Sequence, residues 1–287
     1  MSAATIPARL ARSGRRIYAE GTVALGLAAV VLTIAQLVSG GSWAWAGVAV
    51  AWLPITTYLL YLLIGRPSTR SRHLAALDVV AAAGLIVAVF AGVWPALAAA
   101  AGVAATIGYQ YWYSRQHVPA IGITVGQPLP VFPLTTLTGE RTYSSALRTG
   151  PHVIVFYRGN WCPFCMVQVR QLAEQYRELD RRGVRVALIS PQRADDTAEL
   201  ATRFEVPMEF FVDSEGAAAR ALDLVQAGGT PLIYGAGTSG DTVVPTVAIT
   251  DREGTVIWLE VADNHRVRPE PQTFLTVLDR AGIVAPR

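Results

Sequence analysis

The chain has no lysine; all 24 of its basic residues are arginine. Together with its alanine richness this reads as GC-rich coding bias. The sequence pI of about 9.0 is therefore no nucleic-acid footprint, and nucleic acid is not an implied partner. Cysteine is almost as scarce, with two residues in 287, both inside Trp161-Cys162-Pro163-Phe164-Cys165. Structural zinc needs four ligands, usually as two pairs. His73, His117, His152 and His265 show no paired spacing, so no metal site is expected, and no motif implies a cofactor.

Charge is missing from long stretches of the first 113 residues. Up to Pro119, eight arginines stand against Glu20 and Asp78, a net of +6, whereas the remainder has sixteen arginines against nineteen acids, a net of −3. With 52% apolar residues and a mean hydropathy of +0.36, the chain is too apolar to be wholly water-soluble. Runs at 22–38 and 43–64 match the roughly 20 residues that cross a bilayer core. The uncharged run from Val79 to Tyr113 would be about 52 Å long as a helix against a core of about 30 Å. Gly92 and Pro95 break it, and Tyr109, Tyr111, Trp112 and Tyr113 form an aromatic belt at one end with Trp94 at the other. Two further spans, 77–94 and 95–113, are predicted, with one long tilted helix as the alternative.

Residues 1–118 thus read as a membrane domain of about four transmembrane helices, in contact with the lipid bilayer and multi-pass in the cell membrane. Arg9, Arg12, Arg15 and Arg16 before the first run suit a signal anchor, because further spans follow. No ionisable residue lies within a span, which argues against an ion pathway. No cysteine does either, so the bundle cannot relay electrons by thiol exchange and reads as an anchor. Arginines cluster before the first span, between the second and third (Arg66, Arg70, Arg72) and after the fourth (Arg115), which places both termini in the cytoplasm.

In residues 119–287 the pattern changes to alternating strands and helices. A tether, Ser114 to Val125, and an edge hairpin lead to strand 152–157 and to a helix from Cys162 to about Arg182, with apolar positions at Cys165, Val169, Leu172, Tyr176 and Leu179. Strand 184–190, a helix near 195–204, strand 208–212 and a helix near 215–224 follow. A hairpin then turns across Asp251 to Gly254, and a helix from about Pro271 to Ala281 closes the chain. This predicts an α/β sheet covered on both faces.

The cysteine pair follows a strand and opens a helix. Backbone N–H groups at a helix N-terminus stabilise a thiolate, and a second thiol one turn later can close a disulfide on it. The pair therefore points to dithiol redox chemistry. In that setting the stretch Phe156-Tyr157-Arg158-Gly159-Asn160-Trp161-Cys162-Pro163-Phe164-Cys165 resembles the thioredoxin-fold superfamily. Specifically it is similar to peroxiredoxin-like members of the alkyl hydroperoxide reductase/thiol-specific antioxidant branch, over about Val125 to Gly282.

The resemblance implies a thioredoxin-like fold and an oxidoreductase acting on a protein disulfide or a hydroperoxide, recharged by a thiol electron donor that the sequence does not name. Two departures separate those chemistries. Alignment places Cys165 at the peroxidatic cysteine but Cys162 where peroxiredoxins have threonine, and Pro245 where they have an arginine. Val244-Pro245-Thr246 looks instead like the cis-proline segment that faces the dithiol in thioredoxin-like oxidoreductases. A thiol–disulfide oxidoreductase is thus implied, with Cys162 as accessible nucleophile and Cys165 as resolving thiol.

Trp161, Pro163, Arg158 and Pro245 are candidate supporting residues. Arg158 has a solvated loop arginine as its bland reading, and Arg266 and Arg268 resemble a recurrent peroxiredoxin-like segment. Pro163-Phe164 resembles the glutaredoxin Pro-Tyr pair, implying a potential on the order of −200 to −230 mV. The alternatives are a thiol peroxidase with Cys165 peroxidatic and Cys162 resolving, and a catalytically silent module docked on a membrane partner.

Overall fold

The computed structural model describes residues 6–116, 121–213, 215–235 and 240–285, and within Ile6–Arg12 the backbone alone. They form two compact units. One comprises Met1–Arg66, Ser71–Arg115 and Pro231–Gly240; the other comprises Pro67–Arg70, Gln116–Thr230 and Asp241–Arg287. The boundary read from sequence at 118/119 lies outside the described residues.

The first unit is a helical bundle of α1 (Ile6–Val38), α2 (Ala46–Ile64), α3 (Ala75–Val89) and α4 (Val93–Gly108), the last continued by a π-helical turn, Tyr109–Tyr113. Among the described side chains of α1 only a narrow stripe is buried: Thr22, Gly26, Ala29 and Thr33. The surrounding Leu25, Leu27, Val31, Leu32, Ile34 and Leu37 are exposed. A helix that is apolar all round cannot bury that surface within a bundle this small. Small residues let α2 and α3 approach closely. A Cβ at Gly47 would collide with the backbone of Gly84 and Ala88, and one at Gly84 with that of Ala51 and Gly47.

Among the described residues, two helical stretches, Ser13–Val38 and Trp43–Ile64, are long and apolar enough to cross a membrane. Two differences from the sequence reading stand out. Helix α1 begins at Ile6, well before the first apolar run, because the segment ahead of that run is rich in the good helix formers Ala and Arg. The third apolar run divides at residues 90–92, earlier than the expected 94/95. Gly92 there takes φ +112, open to glycine, and Pro95 sits in the first turn of α4, where its missing N–H is harmless. The run is therefore two helices, and the single long helix is excluded.

The second unit is built on a seven-stranded sheet. Its strands are β1 (Pro133–Thr136), β2 (Arg141–Tyr143), β3 (His152–Phe156), β4 (Arg185–Ser190), β5 (Glu209–Val212), β8 (Thr246–Thr250) and β9 (Val256–Val261), in the order β2-β1-β5-β4-β3-β8-β9. The strands β6 (Val225–Gln226) and β7 (Thr242–Val243) pair apart from it.

β3 is an interior strand, parallel to β4 and antiparallel to β8. All five of its residues are buried, as its unbroken apolar run requires. Helix α5 (Pro163–Arg181) crosses between β3 and β4, and α6 (Ala194–Ala201) between β4 and β5; α7 (Ala217–Ala221) follows β5. This is a thioredoxin-like α/β domain. Alternation sends Ile154, Phe156, Ala187, Ile189 and Ala248 into one core with Phe132, Leu147 and Leu222. α5 buries Phe164, Cys165, Val169, Leu172, Tyr176 and Leu179. The C-terminal helix, Pro271–Arg280, is joined to α5 by an Arg182–Asp279 ion pair. The pairing of β6 with β7 and the helical turn Leu232–Gly235 were not expected, because runs this short carry no periodicity.

Candidate active site

β3 ends at Phe156 and delivers Tyr157 and Arg158 into the loop that precedes α5. Gly159 turns that loop at φ +147, and a Cβ there would meet Trp161 Nε1 at 2.6 Å. Cys162 is the N-cap of α5, at φ −88 and ψ 107, and its Sγ accepts from the Cys165 N–H at 3.4 Å. Pro163 at the first helical position has the fixed φ and missing N–H that suit it. One turn later Cys165 points the same way, so the two Sγ atoms are 2.8 Å apart and share a hydrogen bond. Both cysteines are free and buried.

Cys162 is not the accessible thiol its place at the helix start predicts. It is 1% exposed, because its sulfur turns inward onto Cys165 and the first turn of α5 rather than outward.

The charge around the pair is uneven. Burial pushes the Cys165 thiol up, but the bond to Cys162, the Arg268 guanidinium, and the backbone N–H and guanidinium of Arg158 together draw it down from 9.0 to about 5. Arg268 Nη2 lies 3.7 Å from Cys165 Sγ. Burial, reinforced by the neighbouring Cys165 sulfur, pushes Cys162 well above its ordinary value. The pair thus holds one negative charge, on Cys165, and one proton, on Cys162.

Arg158 is not a solvated loop arginine. Only 4% exposed, it donates through Nη2 to the Gly229 carbonyl, and its Cζ lies 4.6 Å from the centre of the Trp161 ring. Thr242 Oγ1 donates to the Arg158 carbonyl at 3.1 Å. Arg266 and Arg268 are 1% and 4% exposed, so they do more than precede the last helix. The backbone N–H of Arg268 donates to Thr69 O at 3.0 Å and its Nη1 to Val267 O at 2.7 Å, which leaves Nη2 for Cys165. His265 meets Phe164 edge to face at 5.7 Å.

Pro245 corrects a second expectation. The described residues contain no cis peptide bond, so Val244–Pro245 is trans. An extended segment here serves both neighbouring ladders: Val244 N–H donates to Leu224 O at 2.7 Å and Ala262 N–H to Pro245 O at 2.9 Å. Trans is also the intrinsic preference of an X–Pro bond.

Sequence reasoning missed the polar support of the loop. Gln192 Oε1 accepts from the Asn160 N–H at 2.7 Å. Its Nε2 reaches Asn160 Oδ1 at 2.9 Å, Thr197 Oγ1 at 3.0 Å and the Tyr157 hydroxyl at 3.2 Å. Burial pushes the Tyr157 hydroxyl up, so it stays protonated. Gln192 and Asn160 are 32 residues apart and only the β3–β4 pairing brings them together; no local pattern could have signalled it.

The AhpC/TSA family model matches residues 125–259, a little under half of the chain. Apart from Pro231–Gly240, the matched residues lie within the second unit. Bovine (Bos taurus) nucleoredoxin is 28% identical over 127 residues, a match covering 44% of this chain and 26% of that protein; the chain thus spans about a quarter of that relative. Among solved structures, the peroxidoxin BcpB of Mycobacterium tuberculosis is 19% identical, with a TM-score of 0.45, and covers 55% of this chain and 97% of its own. Peroxiredoxin 6 of Arenicola marina is 16% identical, with a TM-score of 0.48, over 56% of this chain and 74% of its own.

Proposed function

We propose that the protein is a membrane-anchored thiol–disulfide oxidoreductase that cycles Cys162 and Cys165 between dithiol and disulfide. The observation that carries this reading is the pair of sulfurs 2.8 Å apart across the first turn of α5, already at bonding approach without rearrangement of the helix. The Cys162 thiol attacks one sulfur of a substrate disulfide as its proton passes to the Cys165 thiolate. The substrate's other sulfur leaves as a thiolate, and a mixed disulfide forms. Cys165 loses its proton again, favoured by Arg268, and attacks Cys162 Sγ. The second substrate thiolate leaves, and the substrate has gained two electrons. A thiol donor returns the pair to the dithiol. Trp161 and Pro163 shape the entry to α5, Arg158 adds positive potential, and Pro245 precedes β8, whose first residue, Thr246, pairs with Phe156 at the end of β3.

The Arg268–Cys165 contact favours a second reading, a thiol peroxidase. Here the Cys165 thiolate attacks the terminal oxygen of a hydroperoxide and becomes a sulfenic acid while water or an alcohol leaves. Cys162 then condenses with it, releasing water and closing the same disulfide. Cys162→Ser and Cys165→Ser in the full chain separate the two. Mixed disulfides accumulating in Cys165→Ser, with loss of exchange in Cys162→Ser, support disulfide exchange. Rapid oxidation of Cys162→Ser by hydrogen peroxide, with no reduction of a protein disulfide by the native chain, supports the peroxidase.

The helical unit serves as the anchor, with about four crossings and both termini in the cytoplasm. The exposed apolar surface of α1 and the three arginine clusters support this. In the reducing cytosol the dithiol rests reduced and acts as a reductant. An active alkaline phosphatase fused to the C-terminus would place the redox domain outside and reverse the assignment.

A further inference from the structure

The segment Pro231–Gly240 interrupts the redox domain in sequence yet belongs to the helical unit. Its first half is a single helical turn, Leu232–Gly235, whose apolar side chains Leu232, Ile233 and Tyr234 are 45%, 62% and 48% exposed. Three adjacent large apolar residues on an outward turn are unusual in a water-facing loop.

The turn is fastened to one level of α1. Arg16 Nη2 donates to Gly235 O at 2.7 Å, and the Ile233 N–H donates to Glu20 Oε1 at 3.3 Å. Gly240, at φ +69, packs against the Arg16 guanidinium. That level is the boundary of the apolar stretch, since Glu20 is the last charge before the uncharged residues 22–38. Aromatic side chains mark the same depth: Tyr18 meets Trp112 at 5.5 Å and Tyr113 at 5.1 Å, and Arg15 lies 5.2 Å from the centre of the Trp112 ring. Trp, Tyr and Arg at one height are the composition that seeks the lipid headgroup layer.

We propose that Leu232, Ile233 and Tyr234 form an interfacial foot that dips into the headgroup boundary of the bilayer beside the N-terminal part of α1. The inference rests on the membrane reading of the helical unit. The occupant is lipid, because the turn sits at the edge of the lipid-facing surface of α1 and beside the cationic Arg15 and Arg16, which attract anionic headgroups. The foot adds a lipid contact beside α1, made by a turn whose neighbours in sequence belong to the redox domain.

The test uses the full chain in a Cys162→Ser, Cys165→Ser background, reconstituted in phosphatidylcholine/phosphatidylglycerol vesicles. A nitroxide is attached in turn at Ile233→Cys, at Val31→Cys on the exposed face of α1, and at Val131→Cys on the redox domain. Collision rates with oxygen, which partitions into lipid, and with a water-soluble nickel chelate give the depth of each label. The foot predicts a label at 233 about 5–10 Å inside the headgroup boundary. Position 31, eleven residues beyond Glu20, should lie about 16 Å deeper than that residue, and position 131 should lie in water. A label at 233 as accessible to nickel as that at 131, while 31 reads hydrocarbon, overturns the foot and leaves the anchor intact. Shielding of 233 from both reagents assigns the turn to a protein partner and also overturns it. An aqueous reading at 31 sinks the membrane reading itself.

Discussion

Arg268 Nη2 lies 3.7 Å from Cys165 Sγ, although the two residues are 103 apart in sequence. With the hydrogen bond from Cys162, which lowers the thiol most, and the charge of Arg158, the contact makes a thiol inside the helix, rather than the one at its start, the seat of negative charge. With Arg268→Leu the Cys165 titration should move up from about 5 toward the ordinary 9.0. A rise of one unit corresponds to about 1.4 kcal/mol. In the native chain thiolate forms as pH rises through about 5 and is complete at neutrality, whereas in the variant it should still be forming above neutral pH. Ultraviolet thiolate absorbance against pH reads this directly, and Arg268→Lys should restore part of the shift. A titration unchanged in Arg268→Leu would remove the arginine from the mechanism.

Gln192 holds the loop before the cysteines through Asn160, Thr197 and Tyr157. Gln192→Ala should slow turnover about tenfold or more with little change in the Cys165 titration, because geometry rather than charge is lost. Gly159→Ala should cost about 1–3 kcal/mol of stability, since φ +147 is strained for alanine and the methyl meets Trp161. Equal melting of Gly159→Ala and the native chain would show that the loop yields freely.

His152, fully buried at the start of β3, makes a 2.9 Å hydrogen bond between Nδ1 and Gly150 O. Burial lowers it from 6.5 to about 4, with the Arg185 charge adding to that and the Gly150 bond opposing it. The unfolded chain therefore binds a proton that the folded chain refuses between those values. Stability is full above about 6.5 and falls as pH drops toward about 4, by up to on the order of 3 kcal/mol. Redox-domain melting in the full chain against pH should show this acid limb, and His152→Phe should flatten it. A limb of the same slope in the variant would assign the loss to other groups.

In the helical unit, Gly84→Leu should separate α2 from α3, since even a Cβ at that position collides with the Ala51 and Gly47 backbone. The expected result is loss of folded yield in detergent, with Gly21→Leu tolerated because Gly21 faces open space. Equal yields of the two would mean that the helices do not pack as closely as described.

Much of this protein was legible in its sequence because the relevant signals are local. The unbroken apolar run His152–Phe156, the period of α5 and the Cys-Pro-Phe-Cys step that opens it each depend on neighbours within one or two turns. So do the apolar helices, the break at Gly92 and Pro95, and the arginines that flank them. What the tertiary structure decided depends on residues far apart in the chain. Which cysteine holds the charge depends on the Cys162–Cys165 hydrogen bond and, next, on Arg268, brought to α5 by the β8–β9 hairpin and the segment after it. Whether Arg158 is solvated depends on Gly229 and Thr242, some 70 to 85 positions away. The trans bond at Pro245 follows from two ladders, to Leu224 and Ala262, that no dipeptide preference encodes. Periodicity reports which face of an element is buried; it does not report which charge lies against that face, and that charge decides the chemistry of the thiols.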